Sequence, residues 1–157
     1  MNLLVLIFWF LSGQDPFSIS SIFADKHYIP FNYTCSGLNI SPEIRIKEIP
    51  KNTVSLALIV DDPDTAFGNF DHWVMWNIPV QAKIRKNSAP GVVGRNSRKE
   101  NKYTGPCPPS GVHEYHFKMF ALDKKLDLAD TCGKQSLINA MKGHVISEAR
   151  LIGFFNK

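Results

Sequence analysis

His113-Glu114-Tyr115-His116-Phe117-Lys118-Met119-Phe120-Ala121-Leu122 is the stretch that decides the fold. Its period is two. His113, Tyr115, Phe117, Met119 and Ala121 share one face, and Glu114, His116 and Lys118 share the other. Successive side chains of a strand point to opposite faces, so this pattern is a strand laid on a core. Phe120 and Leu122 break the polar face near its end, which predicts burial on both sides there.

Working outward, most of the chain reads the same way. Residues 53–60, Thr-Val-Ser-Leu-Ala-Leu-Ile-Val, are a near-continuous β-type run entering the turn Asp61-Asp62-Pro63-Asp64. Residues 72–78, His-Trp-Val-Met-Trp-Asn-Ile, alternate, which puts His72, Val74, Trp76 and Ile78 on one face. Residues 16–30 and 43–49 are weaker strand candidates. The Gly, Asn and Pro content of residues 36–42 marks a loop.

A helix is predicted over residues 135–149, where Leu137, Ile138, Met141, Val145 and Ala149 follow a helical stripe. Gly143 inside it costs about 1 kcal/mol relative to alanine, so a kink or close packing is expected there. Residues 150–155 read as a final strand. The sum is a mainly β protein, an antiparallel β-sandwich of two sheets with a C-terminal helix, as one domain over residues 15–157.

The 157-residue chain is 44% apolar and 20% charged, the balance of a globular domain able to bury a core. Its net charge of +4 leans toward anionic ligands or surfaces. Lys83, Arg85, Lys86, Arg95, Arg98, Lys99 and Lys102 cluster in a long loop between the two histidine strands, against Glu100. Such a run is usually a solvated face, yet its position lets it hang over a pocket mouth. No recognition helix or stacking motif accompanies it, so no nucleic-acid partner is expected.

Cys35, Cys107 and Cys132 match no zinc spacing. Three free or buried thiols are the favoured reading, with one disulfide plus one thiol as the alternative in an exported protein. Leu3 to Leu11 is a continuous apolar run, too short to span a bilayer and followed by Ser12 and Gly13. It suits the hydrophobic part of a signal peptide over residues 1–14, although no Lys or Arg precedes it. An apolar N-terminal strand is the alternative. Export to the periplasm or outside is thus favoured over a cytoplasmic location.

Both histidine strands open beside turns. His72 follows the Asp61–Asp64 turn, and His113 follows Gly105-Pro106-Cys107-Pro108-Pro109-Ser110-Gly111. Taken singly, each histidine reads better as a strand-end residue satisfied by a neighbouring loop. Taken as a set, Asp62, His72, His113 and Tyr115, with backbone N–H groups of the Gly-Pro loop, suit a phosphate monoester or diester. A histidine beside Asp62 is expected to have a raised pKa.

The Asp62-Pro63-Asp64 turn, the His72-Trp73-Val74 strand start, and Gly105 through Tyr115 together resemble the phosphatidylethanolamine-binding protein family. Its bacterial branch, called Raf-kinase-inhibitor-like, is the closer match. Residues 37–42, Lys142-Gly143-His144 and Leu151-Ile152-Gly153 resemble that branch too. The resemblance runs from about Phe17 to Phe155 and rests on several separated motifs in order.

The resemblance implies two antiparallel sheets and an anion pocket lined by Asp62, His72, Gly105, Pro106, Cys107, Pro108, Pro109, His113 and Tyr115. It implies weak binding of phosphate, phospholipid-type head groups or nucleotides, and in some members inhibition of kinases or proteases. Two positions depart from the family pattern. Thr65-Ala66 stands where Ala-Pro is usual, which questions the loop's rigidity. Glu114 stands where Arg is usual, so like-charge repulsion with Asp64 is expected if the two lie close.

Three functions compete. A binding module for a phosphate-containing small molecule or phospholipid head group is favoured, with no cofactor and no catalytic or metal-binding residues assigned. A protein-interaction inhibitor of a kinase or protease, acting through residues 83–102, is the alternative. A metal-dependent or cysteine hydrolase ranks lower. Two histidines and a carboxylate match a metal-ligand set by type, and Cys107 is the candidate nucleophile, but no spacing supports either.

Overall fold

The computed structural model describes residues 16–157, so the leader expected over residues 1–14 lies outside the described residues. Among the described residues, nine strands, one α-helix and a single 3-10 turn at Phe31–Tyr33 follow in chain order. The strands are β1 Ser18–Ser20, β2 His27–Tyr28, β3 Ile44–Lys47, β4 Ser55–Asp62, β5 Phe70–Ile78, β6 Lys83–Ile84, β7 Val92–Val93, β8 Val112–Leu122 and β9 Val145–Asn156. The helix, α1, is Lys134–Met141.

Two sheets form, one of three strands in the order β1-β3-β6 and one of six in the order β2-β9-β8-β4-β5-β7. All strand pairs are antiparallel except β2 with β9. Among the described residues no helix is long and apolar enough to cross a membrane.

Ile19, Ile44 and Ile46 of the small sheet, with Phe17 just before it, meet Leu58, Val60, Met75, Phe117 and Met119 of the large one in the main core. The outer face of the large sheet carries a second apolar layer, Ala57, Ile59, Val74 and Trp76, covered by Leu126, Leu137 and Met141. β4 lies between both layers and is buried at every residue. That is why its sequence runs apolar without alternation. β8, beside it, keeps the predicted alternation, with its odd-numbered residues from His113 to Ala121 buried.

Gly153 sits where the parallel edge strand crosses β9. A Cβ there would stand 2.7 Å from Ile29 Cδ1 and 2.8 Å from Phe23 Cε2. Gly153→Ala therefore overpacks this corner, with an expected loss of about 1–3 kcal/mol in urea unfolding. A neutral result would show that Ile29 and Phe23 repack freely.

The predicted helix is too long. α1 ends at Met141, and Val145 to Ala149 belong to β9. Gly143 takes a φ of 77°, the left-handed conformation that stops a helix, and the His144 N–H returns to the Met141 carbonyl at 2.9 Å. From there the period is two, with Ala149, Leu151, Gly153 and Phe155 buried. The long basic loop likewise contains two short strands, β6 and β7.

β5 does not keep one face. Its register against β4 shifts between Leu56 and Leu58, and again between Val60 and Asp61. Asn77 occupies the first irregularity with φ 52°, and its amide clamps Leu126 through two 2.8 Å hydrogen bonds. The second falls at His72, since Val60 pairs with Trp73 but Asp61 with Asp71. Val74 and Trp76 consequently face the helix layer, while Ile78 joins the main core. His72 turns to the Tyr115 ring, 5.2 Å away edge to face. Bulges re-aim side chains in this way, and the even alternation read from sequence does not hold.

Candidate functional site

The second bulge of β5 brings His72 to the end of the sheet where β4 ends and β8 begins. Asp62 is the last residue of β4 and is 2% exposed. Its Oδ2 accepts from His113 Nδ1 at 2.8 Å, and its Oδ1 accepts from the Asp64 N–H at 2.8 Å. One carboxylate thus fixes both the histidine and the turn. Asp64 Oδ2 in turn accepts from the Glu114 N–H at 2.8 Å, and the Glu114 carboxylate bonds His116 Nε2 at 2.9 Å. Glu114 and Asp64 thus lie close through the Glu114 backbone, while the Glu114 side chain turns to His116.

Thr65 closes the turn that follows through local hydrogen bonds. Its hydroxyl donates to the Gly68 carbonyl, and the Gly68 N–H returns to the Thr65 carbonyl at 3.2 Å.

His72 is buried and donates Nδ1–H to the Thr104 carbonyl at 2.7 Å, while the Thr104 N–H bonds the His72 carbonyl at 3.0 Å. A carbonyl only accepts, so the proton of the neutral ring stays on Nδ1 and Nε2 keeps a lone pair. Burial lowers the His72 pKa from the ordinary 6.5. The Thr104 bond and the Asp62 charge oppose that shift, and Arg98 reinforces it. The raised pKa expected for a histidine near Asp62 is not what His72 has. Desolvation outweighs the carboxylate.

The stability consequence has a definite sign. Folding favours neutral His72, so its contribution is complete above pH 6.5 and is lost as pH falls toward the lowered folded value. His72→Asn keeps an N–H for Thr104 but does not titrate. Urea unfolding between pH 7.5 and pH 5 is expected to show a steeper loss for the natural protein than for this variant. Parallel curves would remove His72 as the cause.

The Gly-Pro loop forms the other wall. The Gly105 N–H donates to Asn39 Oδ1 at 2.7 Å, the Cys35 N–H donates to the Pro106 carbonyl at 3.0 Å, and Cys35 is disulfide-bonded to Cys107. Cys132 is the free cysteine. The favoured reading of three free thiols is thus corrected, since the fold brings together two cysteines that are 72 residues apart. The backbone cradle is also sparser than expected. Prolines carry no N–H and Gly105 is engaged, so within residues 105–109 the remaining backbone donor is the Cys107 N–H, which neighbours the Tyr115 hydroxyl.

A cavity of about 150 Å³ lies between these parts, lined by Asp62, Thr65, Phe70, His72, Arg98, Thr104, Cys107, Pro108 and Pro109. Of the residues chosen from sequence, Asp62, His72, Cys107, Pro108 and Pro109 line it. His113 stands behind Asp62 as its hydrogen-bond partner. Tyr115 stands behind His72. Its hydroxyl is buried without a hydrogen bond, and burial, followed by the Asp62 charge, raises its pKa well above the ordinary 10. Gly105 and Pro106 build the loop without lining the cavity.

Thr65, Phe70, Arg98 and Thr104 were not chosen. Only Arg98 had a signal, as part of the basic loop. Buried Asn96 shapes that loop, since its Oδ1 accepts from the N–H groups of Arg98 and Glu100, and its Nδ2 donates to Lys102 and Thr104.

A family model described as phosphatidylethanolamine-binding protein matches residues 19–156. A UPF0098 protein of Methanothermobacter thermautotrophicus is 43% identical over 143 residues, covering 86% of this chain and 95% of that one. Another, from Pyrococcus abyssi, is 38% identical over 156 residues, covering 92% and 88%. The crystal structure of a phosphatidylethanolamine-binding protein homolog from Chlamydia trachomatis superposes with a TM-score of 0.88 at 34% identity, covering 92% of this chain and 99% of that one. Escherichia coli YbcL shares the fold, with a TM-score of 0.81 at 24% identity over 91% of this chain and 99% of that one. By sequence and by fold, the chain belongs to the phosphatidylethanolamine-binding protein family.

Proposed function

We propose that the protein captures a small phosphate-bearing ligand of the phosphoethanolamine type in the Asp62–His72–Arg98 cavity, as a binding or regulatory protein and not as an enzyme. The observation that carries this is the mixed polarity of the cavity wall. Arg98 and the Cys107 N–H are donors suited to phosphate oxygens. Asp62 and the His72 Nε2 lone pair are acceptors suited to an ammonium or a protonated phosphate oxygen. A phosphate dianion would meet the Asp62 carboxylate unfavourably, so a monoanion or a zwitterion is preferred. A cavity of about 150 Å³ admits a head group but not a whole lipid, whose tails would remain outside.

The Arg98 loop borders the cavity, so a partner protein such as a kinase or protease would meet the same surface. The disulfide supports an oxidising compartment, in keeping with export. It also ties up Cys107, the candidate nucleophile of a hydrolase.

Calorimetric titration with phosphoethanolamine tests the reading. Arg98→Ala is expected to weaken binding about tenfold, the worth of roughly 1.4 kcal/mol. Equal affinity in the variant, or turnover of phosphoester substrates by the natural protein, would overturn it.

A further inference from the structure

A second, larger cavity is present among the described residues. It lies on the opposite face of the six-stranded sheet, between β4, β8, β9 and the end of α1, and holds about 440 Å³. Asp61 and Asp62, adjacent on β4, take part in the two cavities separately. Nothing in the proposed function uses the second.

Its walls have two characters. Ile59, Phe120, Ile138, Met141 and Val145 supply an apolar side. Phe120 and Ile138 are only partly buried, so their apolar surface stays open to a ligand. Four cations, Lys118, Lys134, Lys142 and Arg150, supply the other side. The carboxylates facing them are already engaged. Buried Asp61 lies 2.8 Å from Lys118 and 3.2 Å from Lys134, Asp71 pairs with Lys134, and Glu148 pairs with Arg150 at 3.2 Å. Lys142 has no ion pair among the described residues. Each ammonium has three N–H donors, so Lys118, which faces both oxygens of Asp61, keeps one donor that Asp61 does not use.

We infer that this cavity is a second binding site, for a small amphipathic monoanion whose carboxylate meets Lys118 and Lys142 while its alkyl or aryl body covers Phe120, Ile138 and Met141. Its volume is that of ordinary small-molecule sites, which combine apolar walls with a few placed polar groups. Cations in excess of carboxylates select against a cationic head. The apolar wall selects against inorganic phosphate, which has nothing to bury there. Apolar burial supplies the affinity.

The probes are decanoate, decanol and decylammonium, titrated into the natural protein by calorimetry and followed by methyl NMR of Ile59, Ile138, Met141 and Val145. Decanoate is expected to bind at least about fivefold tighter than decylammonium, to shift those methyl signals, and to remain bound in excess phosphoethanolamine. Lys142→Glu is expected to weaken decanoate severalfold, and Ile138→Trp, which fills the cavity, to abolish its binding. Absence of saturation below about 1 mM decanoate would overturn the assignment. So would equal binding of decylammonium, shifts confined to residues around His72, or displacement by phosphoethanolamine. The methyl shifts are read on the natural protein, so the outcome stands even where a variant folds poorly.

Discussion

Asp62→Ala is expected to cost about 3 kcal/mol of stability in urea unfolding and to abolish phosphoethanolamine binding. Asp62 is 2% exposed and accepts two hydrogen bonds, from His113 Nδ1 and from the Asp64 N–H. Alanine leaves both donors without an acceptor, and a buried unsatisfied donor costs about 1–3 kcal/mol. Binding goes with it, because the carboxylate is the acceptor offered to an ammonium, and because the Asp64 turn that borders the cavity loses its anchor. A variant destabilised by less than 1 kcal/mol that still binds phosphoethanolamine would show that Asp62 does not organise the site.

Replacing Cys35 and Cys107 together by alanine should lower stability by a similar or larger amount. The bridge closes a loop of 72 residues, for which the loss of denatured-state constraint is worth about 4 kcal/mol. For a domain of this size that is a fall of roughly 10 °C in melting temperature. Binding is expected to weaken as well, since Cys107 lines the cavity. Calorimetric melting of the natural and doubly substituted proteins, each titrated with phosphoethanolamine, measures both effects. An unchanged melting temperature would mean that the rest of the fold already holds residues 105–109 in place.

The strands were legible where one physical rule acted alone. β8 has one face on the core, so a period of two survives in its sequence. β4 has apolar layers on both sides, so its run is unbroken. Reading failed where a local device intervened. Val145 and Ala149 fall at helical spacing after Met141, and only the φ of Gly143 shows that the chain has already turned back. The bulges of β5 break the alternation that placed His72 beside Val74, and nothing in His72-Trp73-Val74 announces a bulge.

The site was legible to the same degree. Asp62, His72 and the Gly-Pro loop sit at strand ends, where turn residues and polar side chains stand out. The association of Asp62 with His113 was read from family-like motif order, not from spacing, and the structure places them in contact. Arg98, Phe70 and Thr104 reach the cavity through tertiary folding of the basic loop and the β5 bulge. The Cys35–Cys107 pairing depends on two loops meeting in space, which no local spacing encodes.

The protonation of His72 was misjudged because a carboxylate neighbour was weighed without the burial that dominates it. Neutral His72 changes the chemistry of the cavity. It offers a lone pair where a cation was expected, so in the proposed function phosphate falls to Arg98 and the Cys107 N–H.

A crystal structure of the protein with phosphoethanolamine tests the central claim most directly. The account predicts phosphate oxygens against the Arg98 guanidinium and the Cys107 N–H, with the ammonium directed to Asp62 and His72 Nε2. An empty cavity at saturating ligand, or a head group bound with its phosphate against Asp62 and away from Arg98, would contradict it.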